Sequence, residues 1–267
     1  MINAKEFVSS CHNLGDIMGI TELTDKQIEK VATDSLRRSG VGKALTDPME
    51  KELDRLLGIR DNPEILEGGK SLLKKYYSQK KGLDKGIFFS KETQKGIMME
   101  DAGIELIDEI VFGSQGIRKN TEQKSNKFIK GTCDLKVDNI VIDNKCPWNM
   151  ETFLQKVLDT VDKKYIWQLK GYSILFNCDK ALLCYTLVDT PNYAALTASF
   201  QGKSMEVIEY EATYEHVELQ DRIITYEIGL KESDEKEIEA AVLRSRDFLE
   251  WYDGEVKKKL GNIFLID

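Results

Sequence analysis

The spacing of apolar positions predicts that the first third of the chain is helical. Up to about residue 85, apolar residues recur at helical spacing, and Thr24 or Asp25 is placed to cap a helix that ends near Arg38. A further long helix is expected from about Lys91 to Val111, where apolar residues again recur every three or four positions. We therefore expect a helical N-terminal region over residues 1–90.

The apolar period changes from helical to alternating near residue 127. Residues 127–137 and 140–146 alternate around Asp138–Asn139, which predicts a β-hairpin with a two-residue turn. The order of elements predicts an α/β fold, with a mixed central β-sheet flanked by helices. The later predicted elements are a helical stretch over 151–176, a strand over 181–189, a strand or strand-to-helix connection over 222–230, and an amphipathic helix over 233–260.

Length and composition indicate a globular protein with a sizeable core. The 267 residues are 41% hydrophobic and 31% charged. We expect one domain over 1–267, made of the helical region 1–90, a core over 91–190 and a C-terminal strand and helix over 191–267. No apolar run approaches the roughly 20 residues that span a bilayer, and the N-terminus lacks the apolar segment of a signal peptide. A cytoplasmic location without a membrane partner is therefore expected.

Charge is unevenly distributed along the chain. The formal net charge of −8 argues against a protein that coats nucleic acid indiscriminately. Residues 70–130, however, hold 13 Lys and Arg against 8 Asp and Glu, which suits either a phosphate-binding groove or an ordinary solvated surface. The five cysteines are scattered and form no Cys-x-x-Cys pair, which predicts reduced thiols rather than a zinc or iron–sulfur site.

The predicted hairpin sets two carboxylates against each other. If Val137 pairs with Ile140 across the turn, Asp134 lies opposite Asp143, with Cβ atoms about 5 Å apart. Like charges in this position destabilise a ladder unless a cation lies between them. Lys145 is two residues beyond Asp143 and therefore points to the same face of the sheet.

These residue types suit metal-assisted chemistry on a phosphate group. Asp134 and Asp143 would hold Mg²⁺ or Mn²⁺ together with the main-chain carbonyl of Asn144, because these ions prefer hard oxygen ligands. Lys145 would orient the attacking water or stabilise charge on the phosphate. The alternative is an exposed hairpin whose Asp and Lys side chains simply face water.

A carboxylate interrupts the apolar face of the preceding helix. On a helical wheel, Glu100 lies at the centre of the arc formed by Ile97, Ile104, Ile107 and Val111. A carboxylate in such an arc is costly unless it is paired or bound to a metal, so Glu100 is a third candidate ligand. The alternative is a core carboxylate that pairs with an Arg or a Lys.

A polar residue also interrupts the helical stretch after the hairpin. Gln168 lies within an apolar stripe and would hydrogen-bond a phosphate oxygen or the backbone of 143–145. Tyr172, one turn further on, would add a hydroxyl or a stacking face, and Lys164 on the same side is a candidate phosphate contact. The alternative for Gln168 is an amide satisfied by nearby backbone. The stripe consists of Leu154, Val157, Val161, Tyr165, Tyr172 and Leu175.

These residues resemble the core of the PD-(D/E)XK nucleases. The run GTCDLKVDNIVIDNK is similar to its signature, with Asp134 as the first acid, Asp143 as the second and Lys145 as the lysine. KGIMMEDAG, which contains Glu100, resembles the first-motif helix of the lambda-exonuclease and RecB-like branches, and YIWQLKGYSILFN resembles the helix after their hairpin. The closest likeness is to the YqaJ-type viral recombinase exonucleases, commonly encoded by phages, over about residues 90–190.

The resemblance implies a restriction-endonuclease-like core and a Mg²⁺-dependent DNA exonuclease that processes duplex ends for recombination or repair. Its implied partners are duplex DNA, further copies of the chain and a single-strand annealing protein. The sequence departs from the pattern at Cys133, where Pro is frequent, and at Asp143, where Glu is more usual. The implied catalytic residues are Asp134, Asp143, Lys145, Glu100 and Gln168.

Other interpretations of the same residues stay open. A structure- or site-specific endonuclease would use the same core, an inactive DNA-binding protein would keep only the fold, and a plain α/β domain would carry the motif by coincidence. Arg37, Arg38 and Arg118 are candidates to hold a terminal 5′-phosphate, with no spacing that selects among them. No GxxxxGK[ST] loop is present, so the sequence does not indicate an ATP-driven motor.

Overall fold

The computed structural model of the chain describes residues 3–82, 91–190 and 204–260. The chain divides into two units. The first unit comprises Met1–Phe7, Asp16–Asp84 and Ala240–Asp267, and the second comprises Val8–Gly15 and Lys85–Glu239. No helix in the described ranges is both long enough and apolar enough to span a membrane.

Helices predominate over strands along the described ranges. In chain order the helices are α1 (Leu14–Met18), α2 (Asp25–Arg38), α3 (Asp47–Asp61), α4 (Glu67–Lys80), α5 (Lys91–Phe112), α6 (Met150–Leu158), α7 (Lys163–Phe176), α8 (Met205–Ala212) and α9 (Asp234–Leu260). The strands are β1 (Ser9–Ser10), β2 (Lys124–Ser125), β3 (Ile129–Gly131), β4 (Leu135–Val137), β5 (Ile140–Lys145), β6 (Lys180–Thr186) and β7 (Ile223–Glu227).

Local sequence signals set the helix ends of the first unit. Helix α2 begins directly after Thr24, whose N–H donates to Gln27 Oε1 at 2.9 Å, as in a capping box. Gly40 and Gly42 follow the helix with φ angles of 93° and 90°, a region that favours glycine. The expectation of an entirely helical N-terminal region is wrong at Ser9–Ser10, which pairs with β3 as a parallel strand.

The second unit contains two mixed sheets, which confirms the predicted α/β class. The larger sheet has the order β4-β5-β6-β7, with β5 and β6 parallel and both outer pairs antiparallel. The smaller sheet has the order β1-β3-β2. Helix α5 packs on the larger sheet through Ile104 and Ile107, which form a buried cluster with Leu135, Ile142 and Cys184. Apolar burial on this face fixes where β5 presents its polar residues.

The predicted hairpin forms, but it is shorter than expected. Val137 lies opposite Ile140 as predicted, yet β4 begins only at Leu135. The cause is Asn120, whose N–H donates to the Asp134 carbonyl at 2.7 Å and whose side-chain amide donates to the Cys133 carbonyl at 3.0 Å. These carbonyls are therefore occupied before they can extend the ladder, and Asp134 does not face Asp143 as a cross-strand pair.

The predicted helical stretch over 151–176 is two helices rather than one. Asp162 accepts a backbone hydrogen bond at 2.8 Å and starts α7, so that the phase of the apolar stripe is not continuous across the break. Leu154 and Val157 on α6 are 54% and 50% exposed, against the prediction, whereas Gln168 and Tyr172 on α7 are buried as predicted. The strands near 181–189 and 222–230 and the final helix form where the sequence predicted.

Gly103 marks a close approach between α5 and the larger sheet. A Cβ atom there would collide with the Asn144 side-chain amide and lie 2.7 Å from Thr186 Oγ1.

We expect Gly103→Ala to destabilise the fold by about 1–3 kcal/mol, because crowded cores must shift to admit a methyl group. Gly58→Ala in α3 is the matched control. No atom of the described residues outside the helix's own backbone lies within 4 Å of a Cβ at that position, so we expect a stabilisation of about 0.4–1 kcal/mol. Thermal unfolding of both variants measures the difference, and equal shifts would contradict this account.

Candidate active site

Asp143 is almost completely buried at the centre of the candidate site. Only 1% of the residue is exposed. Its Oδ1 accepts a hydrogen bond from Gln168 Nε2 at 2.7 Å, and its Oδ2 lies 2.6 Å from Lys145 Nζ. The Lys145 ammonium is therefore in direct contact with Oδ2, and no other hydrogen-bond donor among the described residues reaches that oxygen. A carboxylate oxygen has more than one lone pair, so Oδ2 keeps acceptor capacity for a cation.

Asp134 lies beside this group through the backbone of Asn144. Asp134 Oδ2 accepts a hydrogen bond from the Asn144 N–H at 2.7 Å. The Asn144 side chain in turn accepts from Thr186 Oγ1 at 2.9 Å, which fixes the strand at this point. The two aspartates therefore flank one rigid segment of β5, although they do not form the cross-strand pair that the sequence predicted.

Burial and mutual repulsion disfavour two negative charges at this site. Burial, followed by the charge of Asp143, raises the pKa of Asp134 to about 7. Burial also raises the pKa of Asp143, although Lys145 works against that shift. Burial alone would lower the pKa of Lys145, but the two carboxylates outweigh it and raise that pKa. Lys145 therefore stays protonated between two acids whose charge it only partly balances.

Gln168 holds Asp143 from the facing helix, and its contact differs from the prediction. Its amide donates to the Asp143 carboxylate rather than to the backbone of 143–145, and it also lies 3.2 Å from the Tyr172 hydroxyl. Both α7 side chains are buried, 7% exposed at Gln168 and 5% at Tyr172. The amide thus fixes which oxygen of Asp143 faces Lys145.

Removal of the Gln168 amide has a predictable cost. We expect Gln168→Ala to destabilise the protein by about 1–3 kcal/mol, because Asp143 Oδ1 then remains a buried acceptor without a donor. Tyr172→Phe is the control, since it leaves the bond to Asp143 in place and should cost about 0.5–1.5 kcal/mol. Urea unfolding of the two variants measures both values. A larger loss in the Tyr172 variant would show that the bond to Asp143 is not the important one.

Glu100 pairs with a lysine in this structure. Its carboxylate lies 2.5 Å from Lys119 Nζ, and 21% of its side chain is exposed. The paired carboxylate was the alternative that the sequence left open for this residue. Its negative charge nevertheless contributes to raising the pKa values of Asp134 and Asp143, so it lies close enough to act on both electrostatically.

The donor set fits a small divalent cation. The two aspartates and the Asn144 carbonyl are hard oxygen ligands, and Asp143 Oδ2 contacts no donor other than Lys145 among the described residues. Mg²⁺ is usually held by only one or two carboxylates and completes its shell with water. Within the described ranges, no group of three His, Cys, Asp or Glu side chains is arranged around one metal position. Glu100 would join such a shell only by leaving Lys119.

The candidate phosphate contacts lie in different environments. Lys164 is exposed at the start of α7, and Arg118 is exposed in the segment after α5. In the first unit, Arg37 lies 3.4 Å from an Asp34 oxygen, and Arg38 pairs with two carboxylates, of which Asp54 is 2.7 Å away. A role in phosphate binding stays a prediction for all four residues.

Several neighbours of the site carried no clear signal in the sequence. Lys119 and Asn120 lie in an aperiodic segment, yet they hold Glu100 and the backbone next to Asp134. The 3-10 turn Cys11–Asn13 also borders the site, because the charge of His12 contributes to lowering the pKa of Asp143.

Two glycines allow this turn to approach the rest of the site. A Cβ atom at Gly131 or at Gly171 would lie 3.0 Å from Cys11 Sγ, and at Gly131 it would also lie 2.6 Å from the Tyr172 ring. Cys11 is completely buried there. Glycine at these two positions is a signal that sequence reasoning passed over.

Solved exonuclease structures share this fold. A phage-related exonuclease from Haemophilus somnus 129PT superposes with a TM-score of 0.67 at 21% identity, over 94% of this chain and 97% of that chain. The alkaline exonuclease LHK-Exo from Laribacter hongkongensis gives 0.56 at 11% identity, over 97% and 96%. Its complex with dAMP gives 0.50 at 12%, over the same shares. No family model and no curated protein sequence matches the chain. The chain therefore has the fold of these exonucleases.

Proposed function

We propose that the chain is a metal-dependent deoxyribonuclease that hydrolyses phosphodiester bonds at the ends of duplex DNA. The observation that carries the proposal is the buried Asp143, held between Lys145 and Gln168 with Asp134 on the neighbouring backbone. The fold shared with two exonucleases supports the same reaction class. A deoxynucleotide, dAMP, bound to one of them supports DNA as the substrate.

Each residue of the candidate active site has a separate role in the proposed reaction. Asp134, Asp143 and the Asn144 carbonyl would hold Mg²⁺ or Mn²⁺. When bound, the cation would polarise the scissile phosphate and lower the pKa of a water molecule. Gln168 fixes the orientation of Asp143, so that Oδ2 remains directed at Lys145. Because these buried side chains are already held in place, their charges can stabilise the transition state without a rearrangement of the site during the reaction.

Lys145 acts as a positive charge and hydrogen-bond donor rather than as a base. Its raised pKa keeps the ammonium protonated, and its Nζ lies 5.2 Å from the centre of the Tyr165 ring. Donation to the attacking water or to a phosphate oxygen would stabilise charge that develops during hydrolysis. The pairing with Asp143 holds Nζ in place before substrate arrives.

The proposal also includes a biological role for the activity. The phage-related character of the Haemophilus somnus protein supports a role in processing duplex ends for recombination or repair. Such a role would involve a single-strand annealing protein and further copies of this chain as partners.

Digestion of an end-labelled linear duplex tests the proposed activity. We expect loss of label from open ends with Mg²⁺, none in chelator, and none from a duplex whose ends are closed by hairpin loops. Equal cleavage of the closed duplex would identify an endonuclease instead. Binding of the duplex without cleavage in Mg²⁺ and in Mn²⁺ would indicate an inactive DNA-binding protein.

A further inference from the structure

A cavity of about 770 Å³ lies within the first unit, between residues 61–67, α4 and α9. One wall is aromatic and consists of Phe248, Trp251 and Tyr252 on α9. The Phe248 and Tyr252 rings stack with an interplanar angle of 8°, and Trp251 beside them is 58% exposed. An exposed Trp at the wall of a cavity offers a flat face to a ligand.

The same wall contains a cationic group with an unused donor. Arg244 lies on α9 one to two turns before the aromatic residues, and its buried Nε has no hydrogen-bond partner in the part of the chain that the structure describes. Burial lowers the pKa of this guanidinium. Buried N–H groups in proteins are nearly always paired, so an acceptor from outside the chain would complete this site.

The acidic residues near the 61–67 connection lie close to cationic side chains. Lys70 lies 2.9 Å from a Glu64 oxygen and 3.3 Å from a Glu67 oxygen. Asp61 pairs with the preceding arginine at 2.7 Å. One lysine offsets only one of the two glutamates, and Asp247 adds a further carboxylate to the wall that holds Lys74 and Arg244. The charges of the lining are therefore nearly balanced. The aromatic wall and the Arg244 Nε, which has no hydrogen-bond partner among the described residues, favour a ligand with an aromatic body and an acceptor group such as a phosphate.

We propose that this cavity binds a nucleotide, with its base stacked on Trp251 and its phosphate held by Arg244 and Lys74. Aromatic side chains stack on any base, and Arg and Lys are the usual phosphate partners. The volume lies within the range of small-ligand sites. The source of the nucleotide rests on the proposed nuclease activity, which would supply either a released mononucleotide or a nucleotide within a single strand.

Binding in chelator tests the site without cleavage. The probes are dAMP, followed by calorimetry, and a labelled thymidine decamer, followed by fluorescence anisotropy. We expect wild type to bind at least one probe, and Trp251→Ala and Arg244→Gln to weaken that binding roughly tenfold, in line with the loss of one stacked base. Trp251→Phe should retain most of the affinity. Tyr210→Ala is the control, since Tyr210 is an exposed aromatic (68%) of the second unit.

The outcomes distinguish the two sources of the nucleotide and test whether it binds in this cavity. Weakened binding of dAMP alone identifies a mononucleotide site, and weakened binding of the decamer identifies a single-strand site. Wild type that binds neither probe, or Trp251→Ala and Arg244→Gln variants with unchanged affinity, would overturn the proposal. Duplex cleavage is measured in a separate assay. Loss of the expected nucleotide binding with intact cleavage would refute the nucleotide site alone. Nucleotide binding without cleavage would refute only the proposed nuclease activity.

Discussion

Replacement of Asp134 by Asn is expected to reduce DNA cleavage by roughly 10³-fold or more while the protein stays folded. A bound metal contributes several kcal/mol to such a reaction, and each 1.36 kcal/mol corresponds to about a factor of ten in rate. The amide oxygen of Asn can still accept the Asn144 N–H, so the backbone should keep its position. Initial rates on end-labelled duplex, with circular dichroism as the test of folding, measure the effect.

The same variant should abolish a pH dependence of stability. Burial and Asp143 raise the pKa of Asp134 from 3.8 to about 7, so the folded protein retains a proton that the unfolded chain has already lost. In chelator, stability should therefore fall as the pH rises from about 4 to 7. Asp134→Asn removes this titration and should have the higher Tm at pH 8. Melting curves of both proteins across this range, with and without Mg²⁺, provide the measurement.

The control is a carboxylate with a partner at the surface. Asp159 pairs with Lys156 at 3.1 Å and is exposed, so Asp159→Asn should change neither the rate nor the pH dependence noticeably. Undiminished Mg²⁺-dependent cleavage in both Asp134→Asn and Lys145→Ala would refute the catalytic assignment.

Loss of either partner of the Lys170–Asp234 pair should destabilise the second unit by about 3–5 kcal/mol, because it leaves a charge buried alone. Lys170 Nζ donates to Asp234 Oδ1 at 2.6 Å, and the residues are 7% and 3% exposed. Lys170 Nζ also lies 4.4 Å from the centre of the Trp167 ring. Asp234 further accepts the Lys231 N–H, at the point where α9 begins.

A double-mutant cycle isolates the interaction between these two charges. We compare Lys170→Met, Asp234→Asn and the double variant by urea unfolding. The double variant should be much less destabilised than the sum of the single variants, since no isolated charge remains. Additive losses would mean that the pair contributes nothing beyond its separate side chains.

The features that depend on short stretches of sequence were predictable. The turn at Asp138–Asn139, with Asp138 at a φ of 47°, set the hairpin register, and Thr24 set the start of α2. The polar interruption at Gln168 correctly predicted a buried amide near the hairpin. Each of these signals lies within a few residues of the structure that it specifies.

The features that depend on distant, aperiodic residues were not predictable. The apolar arc around Glu100 shows that its carboxylate needs a partner, but it does not identify Lys119, 19 residues further on. Similarly, the ladder ends at Leu135 because Asn120 occupies the preceding carbonyls, and nothing in the alternation of 127–137 indicates this. Tertiary contacts of this kind override local pattern.

The close packing around Cys11 has a consequence for chemical reactivity. Burial, followed by the charge of Cys133, raises the pKa of the Cys11 thiol to about 12, so almost none of it is thiolate at neutral pH. Alkylation must therefore wait for the turn to separate from the glycines at 131 and 171. The labelling rate of Cys11 thus measures, without any substitution, how often the border of the candidate site opens.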